Sequence, residues 1–207
     1  FAKVKDLGKW ENTLILFLTD NGACPEQPNT TPKIPPGPVE SYRTVSVGWA
    51  NASNTPYRRF KSTDYEGGTR TPFIAHWPGV IEPGMTDQVG HIIDISATFR
   101  DITGAGYPDR INGKKTKSPV GKSLLPIFKG QKREPHKEIY WHFGRANAVR
   151  QGNLKAVRQG NSSWELYDLK ADPSEMNDLA KERPKKASEL AKMWESWSRE
   201  IKSRPGK

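Results

Sequence analysis

The amino-acid sequence predicts an α/β fold, and two kinds of pattern support this prediction. Two short, continuous apolar runs, at 13–19 (TLILFLT) and 71–77 (TPFIAHW), are rich in strand-forming residues. Such runs are typical of strands buried on both faces, as in a parallel sheet. Residues 184–201 instead carry apolar side chains at three- and four-residue spacing, which is typical of a helix packed on a core. We therefore expect part of a parallel sheet, followed by a small antiparallel sheet and a terminal helix.

The two apolar runs are separated by a long segment without a clear period. The first run ends at Asp20-Asn21-Gly22, which is a turn signal, and residues 23–57 hold many Pro, Asn, Gly and Ser residues. This composition favours an ordered loop over a helix or strand. A helix is expected to be capped by Asp94 and ended by Gly104, with an apolar face that includes Ile95, Phe99 and Ile102.

The second half of the chain predicts the small antiparallel sheet. Glu138–Phe143 is a strand candidate, and 154–158 and 164–169 flank a turn, as the two strands of a hairpin do. Asp172-Pro173-Ser174-Glu175 has the pattern of a helix start. A last helix is expected from Pro184, with one apolar face formed by Ala187, Leu190, Ala191, Trp194, Trp197 and Ile201.

Charge and composition exclude few functions. The net charge is +10, but the basic residues are scattered and no aromatic residues alternate with them, so the pattern favours a solvated surface over a nucleic-acid groove. A polyanion-binding role remains an alternative. No apolar run approaches the roughly 18 residues that a membrane span needs. The one cysteine, Cys24, allows no internal disulfide and is interpreted as a loop cysteine.

Asp20 and Asn21 are the first candidate site residues. They follow the carboxyl end of a strand, where open α/β sheets bind their ligands. A carboxylate and an amide oxygen are hard donors that suit Ca²⁺ or Mg²⁺, although a plain Asx turn is an equally simple interpretation. Because Ca²⁺ takes roughly six to eight oxygens, two side chains would form only part of such a site.

Lys61 is the second candidate, and it precedes the second apolar run. Its ammonium group is a compact charge that suits an anionic oxygen, but taken alone Lys61 is interpreted as a surface lysine. The pair Gly67-Gly68 permits a tight turn between Lys61 and the strand.

Taken together and in order, these segments resemble the C-terminal signature of the sulfatases, in the alkaline phosphatase-like superfamily. The signature is an apolar strand ending in T-D-N-G, followed by K-x-x-x-Y-E-G-G-x-R-x-P-x-I-x-x-W-P-G at 61–79. Residues 48–58 resemble the bacterial arylsulfatases, 94–99 the family's D-x-x-x-T segment, and 149–155 with 164–169 its C-terminal hairpin. The resemblance implies that 1–130 is the C-terminal part of the catalytic α/β domain and that 131–207 is a small antiparallel-sheet subdomain with a terminal helix.

The same resemblance implies a function for the candidate residues. Asp20 and Asn21 match the two downstream Ca²⁺ ligands of the family, and Lys61 matches the lysine that contacts the sulfate. The implied enzyme hydrolyses aryl or carbohydrate sulfate esters with Ca²⁺ and a formylglycine nucleophile, and the family often works in the periplasm or outside the cell. No C/S-x-P-x-R motif for that nucleophile is present. The expectation is therefore a piece of a longer enzyme, inactive alone and with an exposed apolar sheet edge.

Two alternatives to a sulfatase remain open at this point. The first is a phosphonate or phosphate ester hydrolase of the same superfamily, and the second is a basic binding module without catalysis. The positions of the four histidines do not distinguish these alternatives from a sulfatase. His76 is expected in the core and His136 on the surface, while His91 and His142 lie near strand ends where substrate could approach.

Overall fold

The computed structural model describes residues 1–26 and 31–202, and the chain forms two compact units. The first unit consists of residues 1–18 and 72–136, and the second of residues 19–71 and 137–207. Each unit therefore combines two separate stretches of the chain. The division at residue 130 remains a prediction. The fold class, an α/β arrangement with a small antiparallel sheet and a terminal helix, is confirmed.

The first unit contains the two apolar runs as a two-stranded sheet. Strand β1 (Ile15–Leu18) pairs with β2 (Phe73–His76), and the pairing is antiparallel. The prediction of parallel strands buried on both faces was therefore wrong for the described residues. The side chains of Phe17 and Ile74 are 62% and 59% exposed. A short apolar run predicts a strand, but it does not indicate whether the neighbouring strand is parallel or antiparallel.

Helix α4 (Ile93–Thr103) is the largest helix of this unit, and Gly104 ends it in a left-handed conformation, as predicted. Its buried face is formed by Asp94, Ala97 and Thr98. In the predicted apolar face, Ile95 and Ile102 are half-buried and Phe99 is 49% exposed, so that face is only partly covered. The polar face is the buried one because it carries hydrogen bonds. The Thr98 hydroxyl, for example, accepts from the backbone N–H of Leu124 at 2.8 Å.

The carboxylate of Asp94 is the polar centre of the unit. It is fully buried and accepts from the guanidinium of Arg133 at 3.0 Å and from the backbone N–H of Lys122 at 2.8 Å. Nε2 of His136 lies 2.8 Å from Oδ1, the same Asp94 oxygen that accepts the Lys122 N–H. The His136 side chain is only 8% exposed, so the surface position predicted for it was wrong. His76, predicted in the core, is instead exposed on β2 and packs on Trp10.

The remaining elements of the first unit are short. They are α1 (Ala2–Asp6), a 3₁₀ helix (Trp10–Asn12), β3 (Arg110–Ile111), β4 (Lys114–Lys115) and α5 (Leu125–Phe128). Strands β3 and β4 form an exposed antiparallel hairpin.

The second unit is built on a four-stranded antiparallel sheet in the order β5-β6-β7-β8. Its strands are β5 (Glu138–Phe143), β6 (Ala146–Gln151), β7 (Leu154–Gln159) and β8 (Glu165–Asp168). The predicted strand at 138–143 and the predicted hairpin of β7 and β8 are confirmed. Strand β6 was not predicted, because its sequence ANAVRQ has few large apolar residues.

Helix α6 (Pro184–Lys202) covers one face of this sheet, as its apolar spacing predicted. Leu190 and Trp194 of the helix pack against Val149, Ala156 and Leu166 of the sheet. The indole N–H of Trp194 also donates to the backbone carbonyl of Trp141 at 2.9 Å. Burial of the apolar side chains at this interface stabilises the unit.

The other face of the sheet contacts the segment that follows Lys61. Tyr65 packs against Ala148, Val157, Tyr167 and Leu169, and α3 (Glu66–Thr69) follows it. Lys155 of β7 is fully buried on this face. Its ammonium group lies 2.8 Å from Glu66 and 3.0 Å from Glu175.

The helix predicted to start at Asp172 is absent, and the chain turns there instead. The Asp172 carboxylate accepts from the backbone N–H groups of Met176 and Asn177, both at 2.8 Å, as a helix cap would. Glu175, however, has a left-handed φ of 55° and is fully buried beside Lys155. The ion pair therefore holds Glu175 in a conformation that no helix can continue.

The long segment 23–57 is mostly a loop, but α2 (Ser46–Ser53) lies within it. The sequence analysis missed this helix, since its apolar residues do not follow a helical period. Residues 27–30 of the predicted loop lie outside the described residues. Among the residues that the structure describes, no helix is both long and apolar enough to cross a membrane.

Candidate functional site

The candidate site begins at the turn that follows β1, which belongs to the second unit. The backbone carbonyl of Thr19 accepts from the Thr71 hydroxyl at 3.0 Å, and Gly22 donates its N–H to the Gly68 carbonyl at 3.1 Å. These two bonds fix both ends of the turn against the segment that precedes β2. Asp20 and Asn21 lie between them.

Asp20 and Asn21 present oxygen atoms at this turn. Asp20 is exposed, and Asn21 is half-buried with its amide nitrogen donating to the Gly22 carbonyl at 3.1 Å. This bond uses the nitrogen of the Asn21 amide and leaves its oxygen available as a ligand. Both oxygens are hard donors of the kind that Ca²⁺ prefers, so the pair fits part of a calcium site.

The rest of a calcium site is not found in the part of the chain that the structure describes. Residues 1–26 and 31–202 contain no group of three or more His, Cys, Asp or Glu side chains that could hold a metal ion. Two oxygens are far below the roughly six to eight that Ca²⁺ takes. Any such site therefore needs oxygens beyond these two side chains.

Lys61 lies beside this turn. Its backbone N–H donates to the carbonyl of Ala23 at 3.1 Å, two residues after Asn21. Its ammonium group is 3.4 Å from Glu26 and 3.9 Å from the sulfur of Cys24. The neighbouring Cys24 and Glu26 raise the pKa of Lys61, and Asp20 adds a smaller contribution in the same direction. Lys61 is therefore protonated at neutral pH and lies within the field of Asp20.

The site has two segments, the turn at 19–23 after β1 and residues 58–71 before β2. Glycine is required where these two segments meet. A Cβ atom on Gly22 would lie 1.8 Å from the carbonyl oxygen of Gly67, and one on Gly67 would lie 2.1 Å from the carbonyl oxygen of Arg59. A Cβ on Gly68 would lie 2.0 Å from the carbonyl oxygen of Thr63. The backbones pack directly on each other, which only glycine permits.

The side chain of Asn54, directly after α2, also ties the two segments together. Its oxygen accepts from the N–H of Ala23 at 3.1 Å, and its nitrogen donates to the Arg59 carbonyl at 3.0 Å. One amide therefore bridges the residues after the turn to the residues before Lys61.

His142 and His91 lie in different units. Nδ1 of His142 is 3.0 Å from the Asn147 amide oxygen, and its ring packs edge-on against Trp194 on the α6 face of the sheet. His91 is half-buried in the first unit, where burial lowers its pKa. A substrate contact by either histidine remains a prediction.

Comparison with protein families identifies the chain. A model of the sulfatases matches residues 1–105, and a model of the C-terminal region of N-sulphoglucosamine sulphohydrolase matches residues 58–202. The chain belongs to the sulfatase family. It corresponds to a C-terminal portion of these proteins, as the resemblance in the sequence implied.

Curated sulfatases are similar over most of this chain. An uncharacterized sulfatase of Schizosaccharomyces pombe is 30% identical over 92% of the chain, which covers 38% of that protein. Human arylsulfatase A is 29% identical over 83% of the chain, which covers 29% of that enzyme. The chain thus spans about a third of the length of the curated sulfatases that it matches.

Solved structures share the fold. A protein from the glycosaminoglycan metabolism of Bacteroides thetaiotaomicron superposes on 98% of this chain with a TM-score of 0.69 and 25% identity. The chain covers 41% of that protein. The likeness extends over both units of this sulfatase chain.

The structure thus brings together the three site residues that the sequence predicted, Asp20, Asn21 and Lys61. Their roles in this sulfatase chain remain predictions. Sequence reasoning missed Asn54 and the place of Cys24 beside Lys61. The missed contact of Asn54 spans 31 residues, and no local pattern in the sequence indicates it.

Proposed function

We propose that this chain forms the downstream half of the active site of a sulfuric ester hydrolase. One observation carries the proposal. In a chain of the sulfatase family, the lysine of the family signature is held against the strand-end turn, through the bond from the Lys61 N–H to the Ala23 carbonyl at 3.1 Å. This bond supports a site in which Lys61 lies beside the turn of Asp20 and Asn21.

In this proposal Asp20 and Asn21 are two ligands of a Ca²⁺ ion. Asp20 contributes negative charge, and Asn21 contributes a neutral oxygen that its bond to Gly22 leaves available. When bound, the ion would draw electron density from the oxygens of the sulfate, and a formylglycine elsewhere in the protein would supply the nucleophile. The remaining ligands would come from outside these residues.

Lys61 would bind an oxygen of the sulfate group. A protonated amine is a compact charge that stabilises the negative charge on the transferring group. The present partner of Lys61 is Glu26, whose side chain is 53% exposed. Exposed ion pairs contribute little, so an anionic sulfate ester that is also held by the ion can replace this contact.

The substrate class that we propose is an aryl or carbohydrate sulfate ester. Arylsulfatase A and the glycosaminoglycan-metabolising protein of Bacteroides thetaiotaomicron support these two classes by their similarity to the chain. Because the chain spans about a third of its relatives, this activity is proposed for the complete gene product.

The test uses the complete gene product, produced together with a formylglycine-generating enzyme. We expect hydrolysis of para-nitrophenyl sulfate or of a sulfated oligosaccharide, and loss of this activity with a Ca²⁺ chelator. Asp20→Ala and Lys61→Ala should each lower kcat/KM by roughly a hundred- to a thousandfold, the usual effect of removing one group that stabilises developing charge.

Lys186→Ala is the matched control, since Lys186 forms an ion pair with Glu189 on α6. It should leave kcat/KM unchanged. Normal turnover by Lys61→Ala would refute the role of Lys61. Faster hydrolysis of a phosphate or phosphonate ester than of any sulfate ester would favour the phosphoryl-transfer alternative. Salt-dependent retention on a polyanion without any hydrolysis would favour the binding module.

A further inference from the structure

The buried ion cluster of Glu66, Lys155 and Glu175 is the most strongly constrained polar group of the second unit. The Lys155 side chain has no exposed surface, and neither has that of Glu175, while that of Glu66 is 4% exposed. Charged side chains are rarely buried to this extent, because removing each of them from water is costly. The proposed function uses none of these three residues.

We propose that Lys155 is a positioning residue for the site formed by Asp20, Asn21 and Lys61. This inference rests on the proposed function for the meaning of that site. Lys155 does not touch the site itself. It acts through Glu66 and the glycines that follow it.

The first step of this path is the fixation of Glu66. Lys155 holds the Glu66 carboxylate at 2.8 Å, and the Glu175 carboxylate accepts the backbone N–H of the same residue at 2.6 Å. Both the side chain and the backbone of Glu66 are thereby tied to groups that are themselves buried. Hydrogen bonds to charged groups are the strong ones, so this residue has little freedom.

The second step leads from Glu66 to the turn of the site. Gly67 is covalently next to Glu66, donates its N–H to the Arg58 carbonyl at 2.8 Å, and has its own carbonyl directly against Gly22. Gly68 accepts the N–H of Gly22 at 3.1 Å. Because there is no side chain between these backbones, a displacement of Gly67 is passed directly to Gly22 and to Asn21 beside it.

The third step concerns Lys61. The segment from Arg58 to Thr63 wraps around the same two glycines, since carbonyls of this segment lie against the α-carbons of Gly67 and Gly68. Lys61 is part of that segment and bonds to Ala23 on the other side. The buried cluster therefore fixes the metal-binding turn and the sulfate-binding lysine through one shared pair of glycines.

Backbone hydrogen exchange tests this proposal without any use of activity. In the complete gene product, Lys155→Met should accelerate exchange at the N–H groups of Gly22 and Lys61. We expect roughly a ten- to a hundredfold acceleration, which corresponds to the loss of one hydrogen bond to a charged group. Exchange at such turns follows local opening, whereas that of central strands follows global unfolding.

A purely structural role of Lys155 predicts a different pattern. In that case Lys155→Met would accelerate hydrogen exchange only at the strongly protected N–H groups of β6 and β7. The exchange rates of the Gly22 and Lys61 N–H groups would remain those of wild type. That result would overturn the proposal. Lys186→Met, which breaks an ion pair in the same unit on α6, is the matched control and should change neither group.

A second variant covers the case in which Lys155→Met does not fold. Glu175→Gln retains an oxygen that can accept the N–H of Glu66 and removes one charge from the cluster. Glu175→Gln should also accelerate hydrogen exchange at the N–H groups of Gly22 and Lys61. Unchanged exchange rates at these two groups would overturn the proposal. In either variant, kcat for a sulfate ester should fall together with the exchange protection.

The outcome separates the two proposals. Accelerated exchange at Gly22 and Lys61 in a protein that hydrolyses no sulfate ester would support the positioning path and refute the proposed function. Unchanged exchange at both N–H groups in a protein that hydrolyses sulfate esters would refute the positioning path and support the proposed function.

Discussion

Lys61 and Lys155 form the same kind of ion pair in opposite surroundings. Lys61 is partly exposed beside Glu26, which is itself half exposed, and in the proposed function it exchanges this partner for the substrate. Lys155 has no exposed surface and is shared by two carboxylates that no solvent reaches. The difference teaches that the burial of the pair, and not the type of residue, decides whether a charge is available for binding or holds the fold together.

The largest effect should come from breaking the buried pair. Lys155→Met leaves the fully buried Glu175 carboxylate without its cation, and leaves Glu66 only its longer contact with Arg70 at 3.8 Å. We expect the free energy of unfolding to fall by about 3–5 kcal/mol, measured by denaturant unfolding of the complete gene product. Lys186→Met breaks an exposed pair and should cost less than about 1 kcal/mol. Equal losses in the two variants would show that burial does not separate the two kinds of pair.

The next effect depends on pH and concerns Asp64, a buried neighbour of Lys155. Burial raises the pKa of Asp64 to about 6, although Lys155 and His142 act in the opposite direction. Because the folded protein holds this proton more tightly than the unfolded chain, the contribution of Asp64 to stability is complete below about pH 4. It is lost as the pH rises through about 6.

Asp64→Asn isolates this contribution. Wild type should lose up to about 3 kcal/mol relative to this variant between pH 4 and pH 7, at about 1.4 kcal/mol for each unit of the pKa shift. Unfolding midpoints of both proteins across this range measure the difference. Parallel pH profiles would contradict the assignment of the buried proton to Asp64.

A smaller loss in the free energy of unfolding should follow from Gly22→Ala. This variant probes the backbone contact between the turn after β1 and the segment that contains Gly67. The added methyl group would meet the Gly67 carbonyl, so the backbones must separate. We expect a loss of about 1–3 kcal/mol, the usual cost of an overpacked site, from thermal or denaturant unfolding. Gly48→Ala in α2 is the matched control, because nothing lies within 4 Å of its added carbon. A loss in the control as large as that of Gly22→Ala would contradict this interpretation.

The smallest effect on stability is expected from Lys61→Ala. Its ion pair is exposed, so the unfolding midpoint should remain that of wild type while activity is lost. A measurement of both quantities on one preparation tests this combination. A clear drop in the midpoint would mean that Lys61 holds the fold in the way that Lys155 does.

The sequence could indicate the candidate site because its residues lie in short, ordered motifs. It predicted Asp20, Asn21 and Lys61, and the structure bonds the Lys61 backbone to Ala23, directly after the turn of Asp20 and Asn21. It also predicted α6, since a helix that packs on a sheet repeats its apolar residues. Both kinds of information are local in the chain.

The errors have the opposite origin, since they depend on partners that are distant in the sequence. Asp172 has the pattern of a helix cap, but Glu175 is drawn to Lys155 and to the backbone of Glu66, 109 residues away. His136 follows a basic loop, but it is buried against Asp94, 42 residues away. The direction of β1 and β2 also depends on a pairing that neither strand specifies.

The contact of Gly22 with Gly67 limits how natural sulfatases can be recombined. The turn with Gly22 and the segment with Gly67 are separated in the sequence, but their backbones pack directly on each other with no room for a side chain. Their backbone conformations must therefore be complementary. A chimera that exchanges the turn of Asp20 and Asn21 between two sulfatases should therefore fold only if the segment with Gly67 and Gly68 comes from the same parent. Crossover points for such libraries belong in the segment between β2 and α4, which lies outside both stretches.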